Sequence, residues 1–292
     1  MDGPTGPVLL ESIHGRCVFH DDHAEGGCRI HRAMGHAALP LACRQFPRQS
    51  VRDPRGVSVT LSHYCPTAND LLMAASPSPH IIVNAPAFPP DREYVGLVAD
   101  PALPPLLHPR LAMDWDSWWL FEDLSVALLA QTTEPLARLG LAVEWARDWT
   151  VDRGPLSAHV RSAFARAEAA VVVPSPLTPA RIAARMADVL AAVPEEWRAV
   201  ASDAATPAED QSGAARPVIT SPVFRSYLSA HAFASWAAYQ GEGLRCWFRA
   251  VETAACVLSH TRDAGHADLL LRHLADPDAL VKRWNAAESA SR

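Results

Sequence analysis

Four of the six cysteines in this chain fall between residues 17 and 65, in "GRCVFHDDHAEGGCRIHRAMGHAALPLACRQFPR" and the later "GVSVTLSHYCP". Cys17, Cys28, Cys43 and Cys65 are interleaved with His14, His20, His23, His31, His36 and His63, and bounded by glycine and proline. Zinc and iron–sulfur clusters prefer soft thiolates, and four cysteines complete a tetrahedral site or hold one cluster. The segment is also poor in core-forming residues, and a structural metal is worth on the order of 10–16 kcal/mol to small zinc peptides. The sequence therefore predicts a zinc or iron–sulfur centre on Cys17, Cys28, Cys43 and Cys65. The intervening counts are 10, 14 and 21, with no CxxC pair, unlike the knuckles of zinc fingers. The competing reading is four reduced thiols packed as small hydrophobes. Placement at strand ends and turns favours ligands, because glycine lets the backbone approach and turn N–H groups donate to sulfur.

The remaining composition bounds the setting. Hydrophobic content of 49% and charged content of 20% describe a globular chain of 292 residues with ample length for a core. Net charge is −6, so overall electrostatics attract neither nucleic acid nor an anionic membrane. No transmembrane stretch is present, and the N-terminal residues lack the pattern of a signal peptide. The expectation is a cytoplasmic protein, where clustered cysteines bind metal or do chemistry more often than they form disulfides.

Along the chain, Arg16 to His20 reads as a strand, "DDHAEGG" as a turn and "CRIH" as extended, with one helical turn before Gly35 and Pro40. "RDPRG" is a turn, and Val57, Val59 and Leu61 alternate with polar residues as in a half-buried strand. A short helix follows Cys65-Pro66. Prolines crowd residues 76–113, predicting a connector with at most the strand "HIIVN". Helices then dominate: one capped by Asp114, one opened by Pro135, then "PLSAHVRSAFARAEAAVV", "TPARIAARMADVLAAV", one or two long helices broken near Gly241 and Gly243, and two shorter ones. Residues 202–217 read as a loop. The expected architecture is α+β and mostly α: a cysteine-rich module (1–75), a Pro-rich connector (76–113) and a helical domain (114–292).

The pattern "RCVFH…GGCRIH…LPLACRQFPR…GVSVTLSHYCPTA" resembles the CxxCxxCC (YkgJ-type) family of zinc- or iron-chelating cysteine-cluster proteins. It is most similar to the branch containing flagellin lysine-N-methylase. The resemblance covers roughly residues 14 to 75 and rests on "ACRQFPR" and "LSHYCP" at this separation. It implies an iron–sulfur or zinc site, and S-adenosylmethionine-dependent methyl transfer to lysines of a flagellin-like protein partner. Members of that family carry a further cysteine group before the position of Cys17, and this sequence has none there. Whether the four cysteines form a self-contained set is left open.

Other residues are weighed beside them. His31 and His63 adjoin cysteines and could replace a thiolate, although most of the six histidines read as surface or supporting residues. Arg44 and Arg48 either offset the charge of a tetrathiolate site or act as ordinary surface arginines. Cys246 and Cys256 face different sides of a helix and read as core, as do Trp115, Trp118, Trp119, Trp145 and Trp149. No G-x-S-x-G, P-loop, H-E-x-x-H or Rossmann glycine pattern occurs, so no catalytic residue is nominated. The rival functions are a non-catalytic zinc or iron module that binds a protein partner, and a metal chaperone or thiol redox sensor.

Overall fold

The computed structural model describes residues 12–13, 16–21, 27–74, 79–85, 96–131, 134–171, 178–205, 221–272, 274, 280 and 282–284. The fold is mostly helical with small sheets, the expected α+β class. The chain divides into two compact units, Met1–Phe46 and Pro47–Arg292.

The first unit contains the antiparallel pair β1 (Ser12–Ile13) and β2 (Arg16–Cys17), then α1 (Arg29–Met34), a 3-10 turn His36–Ala38 and α2 (Leu41–Gln45). Extended structure was expected through "CRIH". Instead Cys28 bridges His20 and stands at the cap of α1, which stops where Gly35 takes a φ of 81°. A positive φ suits glycine, which has no Cβ to clash. Neither α1, the 3-10 turn nor α2 buries a side chain.

The second unit opens with a hairpin of β3 (Arg48–Asp53) and β4 (Gly56–Leu61), paired antiparallel from Arg48↔Leu61 to Asp53↔Gly56. "RDPRG" is its turn, where Arg55 N–H donates to the Asp53 carboxylate at 2.8 Å. β5 (Leu97–Val98) adds to β3 in parallel. Gly96 allows that approach, since a Cβ there would stand 1.9 Å from the Ser50 carbonyl oxygen. α3 (Pro66–Met73) follows the hairpin, and β6 (Leu106–His108) pairs with β7 (Leu111–Ala112). The proline-rich stretch thus holds three short strands. "HIIVN" is not a strand: Ile82 and Val83 are 67% and 77% exposed, so no sheet face rewards their burial.

The helices are α4 (Trp115–Gln131), α5 (Pro135–Arg147), α6 (Leu156–Ala169), α7 (Pro179–Ala192), α8 (Arg198–Ala205), α9 (Pro222–Ala232), α10 (Leu244–Leu258) and α11 (Ala264–Arg272). Asp114 caps α4 as expected, accepting the Ser117 N–H at 2.8 Å. Thr178 and Ser221 do the same for α7 and α9. Residues 202–205 belong to α8, and the rest of the expected 202–217 loop lies outside the described residues. α10 packs against α5, α7, α9 and α11. Phe121 is fully buried, with Trp118, Phe164 and Trp247 at ring-centroid distances of 5.8, 5.5 and 4.9 Å. Trp115, Trp119, Trp145 and Trp149 pack around this core, and Cys246 and Cys256 are buried. Burial pushes the Cys256 thiol up to about 11. Among the described residues no helix is long and apolar enough to cross a membrane.

Two buried carboxylates fasten these elements. Glu252 on α10, 1% exposed, accepts from Arg185 at 2.7 Å and from Arg249. Burial alone would raise its carboxyl, but the two arginines outweigh that and lower it. Glu122 on α4 takes Arg55 of the hairpin turn at 2.6 Å and the Ala234 N–H at 2.7 Å. Here burial prevails over Arg55, and the carboxyl rises to about 7.

Candidate functional site

In the first unit a tight turn joins Cys17 to His20, closed by the His20 N–H to the Cys17 carbonyl at 2.8 Å. Inside it the Phe19 N–H points at Cys17 Sγ, 3.5 Å away. N–H···S contacts of this kind stabilise thiolate character on a ligating sulfur. The His20↔Cys28 bridge and the Arg29 N–H to the Phe19 carbonyl carry Cys28 alongside that turn. Cys43 lies in α2, its N–H bonded to the Pro40 carbonyl. Partial burial raises the Cys43 thiol, and the charges of Cys17 and Cys28 raise it further. The three sulfurs therefore share one electrostatic neighbourhood within the first unit. They do not form a group of three donor atoms within 4.8 Å of one another among the described residues. Cys65 belongs to the second unit, at the N-cap of α3. Of the histidines in the module, His31 and His36 meet edge-to-face at 6.0 Å. His14 and His23 lie outside the described residues.

The second unit assembles a donor set that the sequence reading missed. His63 follows β4, His231 closes the last turn of α9, and Asp268 sits on α11. One ligand atom from each lies within 4.8 Å of the other two. His231 Nε2 is 3.0 Å from Asp268 Oδ1, and His63 Nδ1 is 3.5 Å from Oδ2. Tyr227, one helical turn before His231, donates its hydroxyl to Oδ1 at 2.8 Å. The His63 backbone N–H donates to Oδ2 at 2.5 Å, and Ser62 Oγ approaches at 3.4 Å. Burial by itself would raise the Asp268 carboxyl; the hydrogen bonds and charge of His231 and His63 reverse this and hold it well below the usual carboxylate range. Burial and the neighbouring Asp268 both push the Tyr227 phenol well above its ordinary value.

Two signals pointed here. Tyr227 and His231 stand at i and i+4 on α9, and a carboxylate inside "HADLLLR" needs partners if its helix is packed. No family model, curated protein or solved structure matches the chain.

Proposed function

We propose that this chain is a metal-binding protein whose N-terminal unit is organised around a thiolate-bound zinc ion or iron–sulfur cluster held by Cys17, Cys28 and Cys43. The observation that carries the reading is the absence of a core. Among the described residues of that unit no side chain is buried, and Met34 and Phe46 are 72% and 41% exposed. A unit whose described residues bury so little apolar area calls for another source of cohesion, and metal ligation supplies one in domains of this size. The donor chemistry fits. Three soft ligands share a field that raises the Cys43 thiol, and a bound cation relieves that repulsion. Cys65, the fourth thiolate expected from the sequence, belongs to the second unit.

The family resemblance extends the proposal to methyl transfer from S-adenosylmethionine to lysines of a flagellin-like partner, in a reducing cytoplasm. What supports that extension is the motif alone. Its measure is labelled methyl incorporation into the partner's lysines.

The test of the metal reading is anaerobic purification of the full chain with metal analysis and an absorbance spectrum. The expected result is stoichiometric zinc, or iron with a broad band near about 400 nm, lost in C17S, C28S and C43S. Chelation should abolish hydrogen-exchange protection up to Phe46 and spare the chain beyond Pro47. Metal-free protein with an ordered N-terminal unit would overturn the proposal.

A further inference from the structure

A cavity of about 470 Å3 lies in the second unit, bounded by residues of β3 and β4, by Gly96 and Leu97, and by the segment from Phe233 to Trp236. His63 and His231 both line it. Behind them stands Asp268, 6% exposed. We propose that His63, His231 and Asp268 form a mononuclear site for a divalent transition-metal ion, zinc or ferrous iron, with its remaining coordination positions turned to the cavity.

Four observations carry this. The first is spacing: adjacent ligand atoms around an ion at about 2.1 Å stand roughly 3.0 Å apart in an octahedron and about 3.4 Å apart in a tetrahedron. The carboxylate-to-imidazole distances of 3.0 and 3.5 Å match those polyhedron edges.

The second is an unmet need. His63 is 5% exposed, and its Nδ1, shielded from solvent, makes no well-formed hydrogen bond, the Asp268 Oδ2 standing 3.5 Å away. A buried ring nitrogen left unpaired is unfavourable, and an ion between it and the carboxylate removes the penalty.

The third is support around the carboxylate. Tyr227 holds Oδ1, and the His63 N–H holds Oδ2, so the group that would bind the ion is already oriented by donors that need not move. Outer partners of this type fix ligand orientation in metal sites.

The fourth is chemistry. Two imidazoles and one carboxylate are the donor set of open mononuclear zinc and non-haem iron centres, where water or substrate takes the free positions. The cavity supplies the room for such an exchangeable ligand. These nitrogen and oxygen donors differ in kind from the sulfur set of the N-terminal unit, so the two sites are separable by spectroscopy.

The experiment is a titration of the full-length protein with Co2+ alone, followed by visible spectroscopy. Cobalt on sulfur gives a charge-transfer band in the near ultraviolet, whereas cobalt on nitrogen and oxygen gives ligand-field bands only. The expected result is a ligand-field component that survives in the C17S/C28S/C43S/C65S variant. In H231A it should weaken by about 100-fold or more in affinity, with the sulfur band intact. H63Q, which keeps a side chain of similar reach, should weaken it as well, and circular dichroism reports whether each variant folds. A hydrogen-bonded cluster only, seen as no ligand-field component in the folded four-serine variant or an unchanged one in folded H231A, would overturn the proposal. Loss of the sulfur band alone would count against the thiolate reading and leave this site standing.

Discussion

The two units of this chain pose opposite problems in cohesion. From Pro47 onward, an apolar core runs through α4, α5, α6, α7, α9, α10 and α11, and the functional donors are carried on elements that this core already holds. Up to Phe46 the described residues bury no side chain, and Cys17, Cys28 and Cys43 lie in turns and short helices. Under the proposed reading a metal would organise the first unit, whereas the second is organised by its apolar core. The same residue types therefore carry different meanings. A cysteine in the core, such as Cys256, is packing, whereas Cys17 is exposed in a turn with an N–H aimed at its sulfur, the setting the proposal reads as a donor.

The largest expected effect separates the units outright. Phe121→Ala removes a ring stacked among three aromatics and should cost about 3–5 kcal/mol, measured by denaturant unfolding of the second unit. Metal content of the N-terminal unit should not change. If metal is lost with it, the two units are not independent in stability, and the contrast drawn above fails.

Next comes pH. Burial lifts the Glu122 carboxyl to about 7, above its unfolded value of 4.5, so the native state holds a proton that the unfolded chain has lost. Its contribution is fully present below about 4.5 and is lost as pH rises through about 7, by up to about 3 kcal/mol. Asp268 runs the other way: its carboxyl is depressed, so its contribution is present above 3.8 and lost as pH falls below that. Unfolding free energy measured from pH 4.5 to 8 should fall with rising pH, and Glu122→Gln should flatten the profile. A flat profile in the unsubstituted chain would show that Arg55 keeps Glu122 ionised throughout.

The smallest effect is expected where no core exists. Phe46→Ala, at a 41% exposed ring, should alter stability by no more than about 0.5 kcal/mol in the metal-loaded chain. A loss several times larger would reveal apolar packing that matters in the first unit, and would sharpen the comparison in favour of a hidden core.

The helical part of the molecule was legible because its signals are local. Asp114, Pro135 and Thr178 mark helix starts through interactions made within one turn, and the tryptophans fall on faces that the helical period aligns. β3 escaped the reading because "RQSVRD" has no alternation of apolar residues; it is a strand through its pairing with β4 and β5. "CRIH" looked extended, but the helix begins directly after Cys28. At the candidate site the thiols and His63 were visible as residue types. His231 and Asp268 were not, because the contact from Asp268 to the His63 backbone spans 205 positions in sequence. A Tyr–His pair one helical turn apart and an aspartate among leucines are unspecific signals until the fold sets them side by side.

α9 has a consequence for how the second unit responds to change. Its last two turns present Tyr227 and His231 to Asp268. Directly after it, Ala234, at a φ of 55°, hands its N–H to the carboxylate that grips Arg55. Only Ala232 and Phe233 thus separate the imidazole at the cavity wall from the anchor of the β-hairpin. The hairpin turn and the histidine are therefore fastened to one short run of chain, so a substitution at Ala234 bears on both.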